Sequence, residues 1–537
     1  MMSKRVFVGM AWLSAVVPLL CGAPPASGSS LILVNLKDEP LEAVAVPLPA
    51  GRLYSALGVE KGRPLKFADV KGKILPCQLD RERDVVWLLC RLPPGGREEV
   101  EVSPAVSWPQ VLRTRAFWRP REGEGGLTNG LLTVRLKGND ISFLLPDGSV
   151  VIERLHFLGW LIEKPIQVPS PRWASEKGLP HLSTMEFEKV EVKVLSEGPV
   201  RAEVMLVKEP RGKAKGKVAY CERLVLHPLR RLVEYWLEVR NLTEKPLWIA
   251  DCDGIIHARW GEAMKGKKRL EFPLGRVKPI TSAWFGVGER QLPPDERTWM
   301  VVRSEGGASL GIVNLTRRTH TWCYTNHGFW LYQASPEGER PIPIPPKGKA
   351  VFGVAFAVFL PSEDATEGTR KVFWALGRGR KGRVFVKPPV SAFVEGKAIL
   401  GGGLPCLREE FLHPQKWLVK GGRLEKKGRF VCEKKKAVAT LALEIRAKKP
   451  LRLRVEVEEL KGRMGLELLP LEGGRGLSFP VTREGRHDWD VEVEGESCLR
   501  IWLEGKGSEA DLRRVYLGPQ PLPPPRLLSP LQGVEIT

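Results

Sequence analysis

The 537-residue sequence has no P-loop, no HExxH and no GxGxxG that follows a strand and opens a helix. Nucleotide-phosphate cradling and zinc-peptidase chemistry therefore lack their residues. None of the nine cysteines stands in a CxxC pair, so a structural zinc site is not expected. Past the first 28 residues, no segment comes near the roughly 20 apolar residues that a membrane span requires. The 55 Gly and 45 Pro leave few uninterrupted stretches of the roughly 12 residues that a stable helix needs, which argues against bundles and coiled coils. There is no repeat at a solenoid or propeller period.

Acidic residues are in deficit: 62 Asp and Glu against 84 Lys and Arg leave a formal charge of +22. Such a balance favours a polyanionic partner, because long-range attraction to carboxylates or phosphates obeys the same electrostatics. Lys and Arg are nevertheless interspersed with Glu throughout, as on an ordinary solvated surface.

What is present begins with a leader. Lys4 and Arg5 precede an apolar run from Val6 to Leu20, and small residues end the segment at Ala26-Ser27-Gly28. Residues 1–28 read as a cleaved secretory signal, which makes the protein secreted, periplasmic or cell-surface, with no transmembrane segment. In that compartment an acidic polysaccharide or anionic envelope fits the positive charge better than nucleic acid does. Export also permits disulfides, and Cys77 and Cys90, flanking a hairpin, form the first pair to expect.

The rest of the chain reads as all-β. Short runs rich in Val, Ile, Leu and Trp alternate with polar residues and are separated by Gly, Pro, Asn or Asp. Val190, Val192 and Val194 share one face of a strand while Glu191 and Lys193 share the other. A hairpin from Ile141 to Val151 turns at Pro146-Asp147-Gly148, where Pro presets φ and Gly accepts positive φ. One helix is expected near Glu363 to Leu376. Three modules follow, over residues 29–104, 105–378 and 384–518, with a basic linker between the last two and a Pro-rich tail over residues 519–537.

The first module contains Leu33-Val34-Asn35, Val44 to Pro49, Leu75-Pro76-Cys77-Gln78 and Val85 to Leu89. It resembles the amino-terminal RIFT-barrel-like module of secreted exo-acting rhamnogalacturonan lyases. The second, through Leu127 to Arg135, Ser196 to Ala202 and Arg223 to Asn241, is similar to the β-supersandwich of those proteins, shared with galactose-mutarotase-like and hyaluronate-lyase-like proteins. The resemblance implies a small barrel-like module followed by a large antiparallel sandwich. It departs from the family at the carboxy-terminal end, where the α/α toroid is missing. A jelly-roll-like β-sandwich of the carbohydrate-binding kind stands there instead, with Trp417, Trp489 and Trp502 as ring platforms. Activity does not transfer across such a departure and has to be argued from a site.

Two constellations could form one. In the segment from Arg317 to Trp330, alternation puts His320, Trp322, Tyr324 and Asn326 on one face and His327 on the other. With Trp330, they offer the flat rings and hydrogen-bonding groups that a pyranose requires. The second comprises Asp251, Asp253, His257, Arg259 and Trp260, where the two aspartates could take a cation such as calcium; no other cofactor is expected. Elimination from a uronate polymer needs a base, a cation or amide for the developing enolate, and an acid for the leaving oxygen. His257, His320 or His327 could be the base, Arg259 or Asn326 the carboxylate clamp and Tyr324 the acid, with Trp260, Trp322 and Trp330 as binding surface. Nothing in the spacing brings the two segments together. Carboxylate pairs such as Glu234 and Glu238 are also available for a glycosidase.

The leading expectation is a secreted protein that recognises, and could cleave by elimination, an acidic, uronate-containing polysaccharide. The alternative is a non-catalytic glycan or envelope-binding protein. A third reading is a sugar epimerase using acid/base histidines. Each predicts a different site: His, Tyr and Arg converging in a groove, aromatic platforms alone, or a His and carboxylate pair in a closed pocket.

Overall fold

The computed structural model describes residues 29–519 apart from 110–113, 120–122, 139, 167–170, 251–255, 272–276, 280–284, 287–298, 317, 325–327, 334–340, 377, 380–385, 405–406, 410, 412, 446–450 and 493–494. The leader and all but the first residue of the tail lie outside this range. The architecture is all-β with antiparallel sheets throughout, apart from one short parallel pairing. No described helix is long and apolar enough to cross a membrane.

The amino-terminal unit stacks a five-stranded sheet against a three-stranded one, of which Leu41–Pro49, Val85–Leu92 and Cys77–Asp80 form the smaller. The larger sheet is not built from residues 29–104 alone. Its strand Ser29–Asn35 is flanked by Arg97–Pro104 on one side and by Val390–Val394 on the other. Buried Leu31, Leu33, Val46, Leu48, Val390 and Ala392 therefore share one core, and the chain returns to its start before entering the last unit.

The expected Cys77–Cys90 disulfide is absent, and both thiols are free and buried. The reason is register: Leu88, not Cys90, stands opposite Cys77. Both side chains fill the core as small apolar groups.

The central unit packs a twelve-stranded sheet on a nine-stranded sheet. Alternation decides the core. Along the strand Val150–Ile162, Val151, Leu155, Phe157 and Leu161 point between the sheets, against Tyr220, Tyr235, Phe352 and Phe356 of the opposite sheet. The hairpin leading into this strand turns as expected, with Gly148 at φ +85° and its N–H donating to the Leu145 carbonyl at 2.9 Å. The two sheets then part company in how their outer faces are covered. The nine-stranded sheet is roofed by the helix Ala365–Leu376, whose Val372, Phe373 and Leu376 pack on Trp236, Trp299 and Val313. The amino-terminal unit covers it further on, where Trp87 packs with Val200 of the central unit.

The carboxy-terminal unit is a ten-stranded sheet whose strands Leu451–Pro470 and Ser497–Pro519 pair along nearly their full length. Register shifts around Val457 and Lys461 bend this ribbon so that it closes over its own core. Trp417 is not a ring platform. It is 2% exposed, stacked at 27° on Phe411 inside that core. Trp502 lies across from Gly465, where a Cβ would come within 2.5 Å of the indole. Trp489 is half-buried against Phe479 and His487.

Candidate functional site

The outer face of the twelve-stranded sheet brings the two constellations together. The strand Ile256–Trp260 pairs with Val150–Ile162 on one side and with Gly328–Gln333 on the other, and Gly328–Gln333 pairs with Arg318–Tyr324. One register row then reads His156, His257, Trp330, Trp322 across four strands. The next reads Arg154, Arg259, Gly328, Tyr324. Residues directly opposite in antiparallel pairs share a face, so both rows belong to the face turned away from the inter-sheet core.

Side chains are described for the first two strands. The His156 and His257 rings stand 5.3 Å apart at 36°. His257 is buried, whereas His156 is part-exposed and its Nδ1 is buried without a hydrogen-bond partner. Burial, together with the charges of Arg154, Lys208 and His181, pushes the His156 imidazole down to about 4, so it is neutral at pH 7. Arg154 and Arg259 reach outward to Asp140 at 2.8 Å and Glu153 at 3.0 Å, the first pair about two-fifths exposed and the second about half. Such pairs are weak and exchange readily for another carboxylate.

A buried network anchors the backbone beside His156. The Phe157 N–H donates to Thr184 Oγ1 at 3.0 Å, and the Thr184 carbonyl accepts from Lys208 Nζ at 2.8 Å. Lys208 in turn pairs with Glu222 at 2.5 Å, and the Tyr235 hydroxyl donates to Glu222 at 2.6 Å. These charges sit between the sheets at 2% exposure or less and offset each other there.

The remaining expected residues divide. His320, Trp322, Tyr324 and Trp330 are placed by backbone pairing, and their side chains lie outside the described residues. Asp251, Asp253, Asn326 and His327 lie outside altogether, as does the cation site expected on the two aspartates. Among the described residues no cluster of His, Cys, Asp or Glu could hold a metal ion. Trp260 requires a correction: it is 8% exposed and packs at 5.2 Å on Phe329 in the inter-sheet core, because alternation turns it away from His257 and Arg259.

The candidate residues read from the sequence include neither His156 nor Arg154. The signal was present in the alternation of Arg154, His156 and Trp160 with Leu155, Phe157 and Gly159. What was missing was the neighbour, since only the fold sets His257 across from His156.

A second polar cluster lies at the seam with the amino-terminal unit. His227 Nε2 is 2.6 Å from Glu234, which also accepts from Trp236 Nε1 at 2.8 Å. Burial alone would raise the Glu234 carboxyl, but its hydrogen bond and charge interaction with His227, with Arg201 and Trp236 adding to them, outweigh that and hold it at about 2. Arg201 stacks at 4.4 Å over Trp87 and pairs with Glu203 at 2.8 Å. The recess among Trp87, Arg201, His227, Arg230 and Glu234 holds about 20 Å³, room for a water or so and far too little for a sugar ring.

Neither of two hydrolase arrangements is formed. Glu234 and Glu238 lie four residues apart on one strand, about 13 Å by strand rise, beyond the roughly 5 to 9.5 Å separating glycosidase carboxylates. Glu238 is moreover taken by Lys349 at 2.9 Å. The string Gly307 to Gly311 matches GxSxG, but Ser309 opens a strand, opposite Phe359, at 4% exposure, and is no exposed strand-to-helix elbow.

No protein-family model and no curated protein matches the chain. Among solved structures it is similar to an alpha-mannosidase from Enterococcus faecalis V583, at 11% identity and a TM-score of 0.44, over 87% of this chain and 56% of that one. A glycosyl hydrolase family 38 protein from Enterococcus faecalis gives 11% identity and a TM-score of 0.43, over 87% of this chain and 58% of that one. The galactosidase domain of the alpha-galactosidase-sucrose kinase AgaSK gives 10% identity and 0.32, over 46% and 42%. The chain thus spans little more than half the length of the first two.

Proposed function

We propose that this chain is a carbohydrate-active protein that lays an acidic polysaccharide across the outer face of the twelve-stranded sheet and cleaves it by β-elimination. The observation that supports this reading is the pair of consecutive register rows, one headed by His156 and His257, the other by Arg154 and Arg259 and ending at Tyr324.

The chemistry follows from the groups in those rows. Arg154 and Arg259 exchange their solvated partners for the uronate carboxylate and neutralise it, which acidifies the neighbouring C5 proton. The His156 imidazole, neutral and part-exposed on that face, takes that proton. The C5 electron pair forms the C4–C5 double bond, the C4–O bond breaks, and Tyr324 delivers a proton to the leaving oxygen. A base held at about 4 is weak. Seating an anion beside it offsets the Arg154 charge and strengthens it when substrate is bound.

The test is ultraviolet absorbance of the unsaturated product, with the purified protein incubated on a panel of uronate polysaccharides. The reading predicts a rise on at least one polymer that is lost in Arg259→Ala. A flat trace on every polymer, with retention of one of them in an affinity gel, would leave a glycan-binding protein instead.

A further inference from the structure

We propose that the same sheet face carries a second, distal sugar-binding subsite at Trp160 and His181, so that the ligand is an extended chain of several units and not a short oligosaccharide. This rests on the reading of the face as a polysaccharide site and adds a length requirement to it.

The strand Val150–Ile162 carries the argument. Every second residue points outward, so Arg154, His156, Leu158, Trp160 and Ile162 form one line along it. Trp160 follows His156 by four residues, about 13 Å along the line. At that point the partners change: Trp160 stands between His181 of the strand His181–Ser183 and Ala250 of the strand Leu247–Ala250. The Trp160 and His181 rings lie 4.9 Å apart at 54°, an angled pair in which the indole is half-buried and the imidazole exposed.

This ledge has a wall. Ile162 and Ala250, beside Trp160 on the same face, are buried at 2% and 3% exposure, and Ala174 of the short helix Pro171–Glu176 packs against them. The helix sits on the outer face only here, leaving the line from Trp160 back to His156 and Arg154 without a helix across it among the described residues. A flat, fixed indole beside an imidazole suits the apolar face and hydroxyls of a pyranose. The ledge lies on the same strand face as Arg154, which ties its occupant to the same anionic chain.

Binding of uronate oligosaccharides of increasing length, read by titration calorimetry, tests this on the full chain. Trp160→Ala should weaken binding of the long oligomer about 3- to 10-fold, the loss of one aromatic contact, and leave the shortest bound ligand unchanged. Trp160→Phe should restore most of the affinity, which separates loss of the platform from loss of packing. Equal weakening for every length, or none for the long oligomer, overturns the subsite. If the wild-type chain binds no uronate oligomer of any length, the reading of the whole face fails, a distinct outcome.

Discussion

His156 and His257 come from strands a hundred residues apart in sequence and meet as directly opposed residues, rings 5.3 Å apart, on the outer face of the central sandwich. Burial, together with the charges of Arg154, Lys208 and His181, keeps the His156 imidazole of this pair neutral. Arg154 and Arg259 oppose each other in the adjacent register row.

Removing the base is the first consequence. His156→Ala should lower turnover of a uronate polymer by about 10²- to 10⁴-fold, the usual contribution of a positioned general base. Binding measured on an affinity gel should change little, since the arginines remain. Loss of binding and turnover together would assign His156 to substrate positioning.

The pH response has a definite sign. An imidazole ordinarily near 6.5 and held at about 4 in the folded chain takes up a proton more readily once unfolded. Its contribution to stability is therefore complete above 6.5 and declines as pH falls from there toward 4. Urea unfolding across that window should show a steeper loss of stability for the wild type than for His156→Gln. Parallel curves would mean that the imidazole is not held neutral.

The Lys208–Glu222 pair makes a strong prediction about stability. Lys208→Met leaves the Glu222 carboxylate buried with Tyr235 as its remaining described partner, and should cost about 3 to 5 kcal/mol. Lys208→Met combined with Glu222→Leu should cost less than Lys208→Met alone, because no uncompensated charge remains. Chemical denaturation of the three chains measures both terms.

Trp417 separates core from platform. As a side chain at 2% exposure, its replacement by Ala should cost about 3 to 5 kcal/mol in unfolding free energy. Glycan binding by the folded fraction should be unaffected. A stable Trp417→Ala chain with weakened binding would restore the platform reading.

The thiols give a simple check on the amino-terminal unit. Burial pushes Cys77 up to about 12 and Cys90 well above its ordinary value, so thiolate is scarce at both. A thiol reagent should leave Cys77 and Cys90 unlabelled in the native chain and modify both after denaturation without reductant. Failure to modify them in denaturant would show a disulfide.

The sequence made the all-β class legible because alternation of the kind seen at Val190, Val192 and Val194 is a local property. The helix Ala365–Leu376 and the Pro146-Asp147-Gly148 turn were legible for the same reason. Pairing is not local. Nothing in residues 390–394 announces that they close the sheet begun by residues 29–35. Nor does anything near His156 announce His257, or anything near Trp417 announce Phe411. Residue types pointed to one half of the candidate site, at His257 and Arg259, while its partners His156 and Arg154 needed the register of one strand pair.

The most direct test of elimination is the mass of the products. Incubated with a uronate polysaccharide, the wild-type chain should release fragments with an unsaturated end, each lighter by one water than the corresponding hydrolysis product, and His156→Ala should release none. Fragments of full hydrolytic mass, or unsaturated fragments undiminished in His156→Ala, would contradict the account.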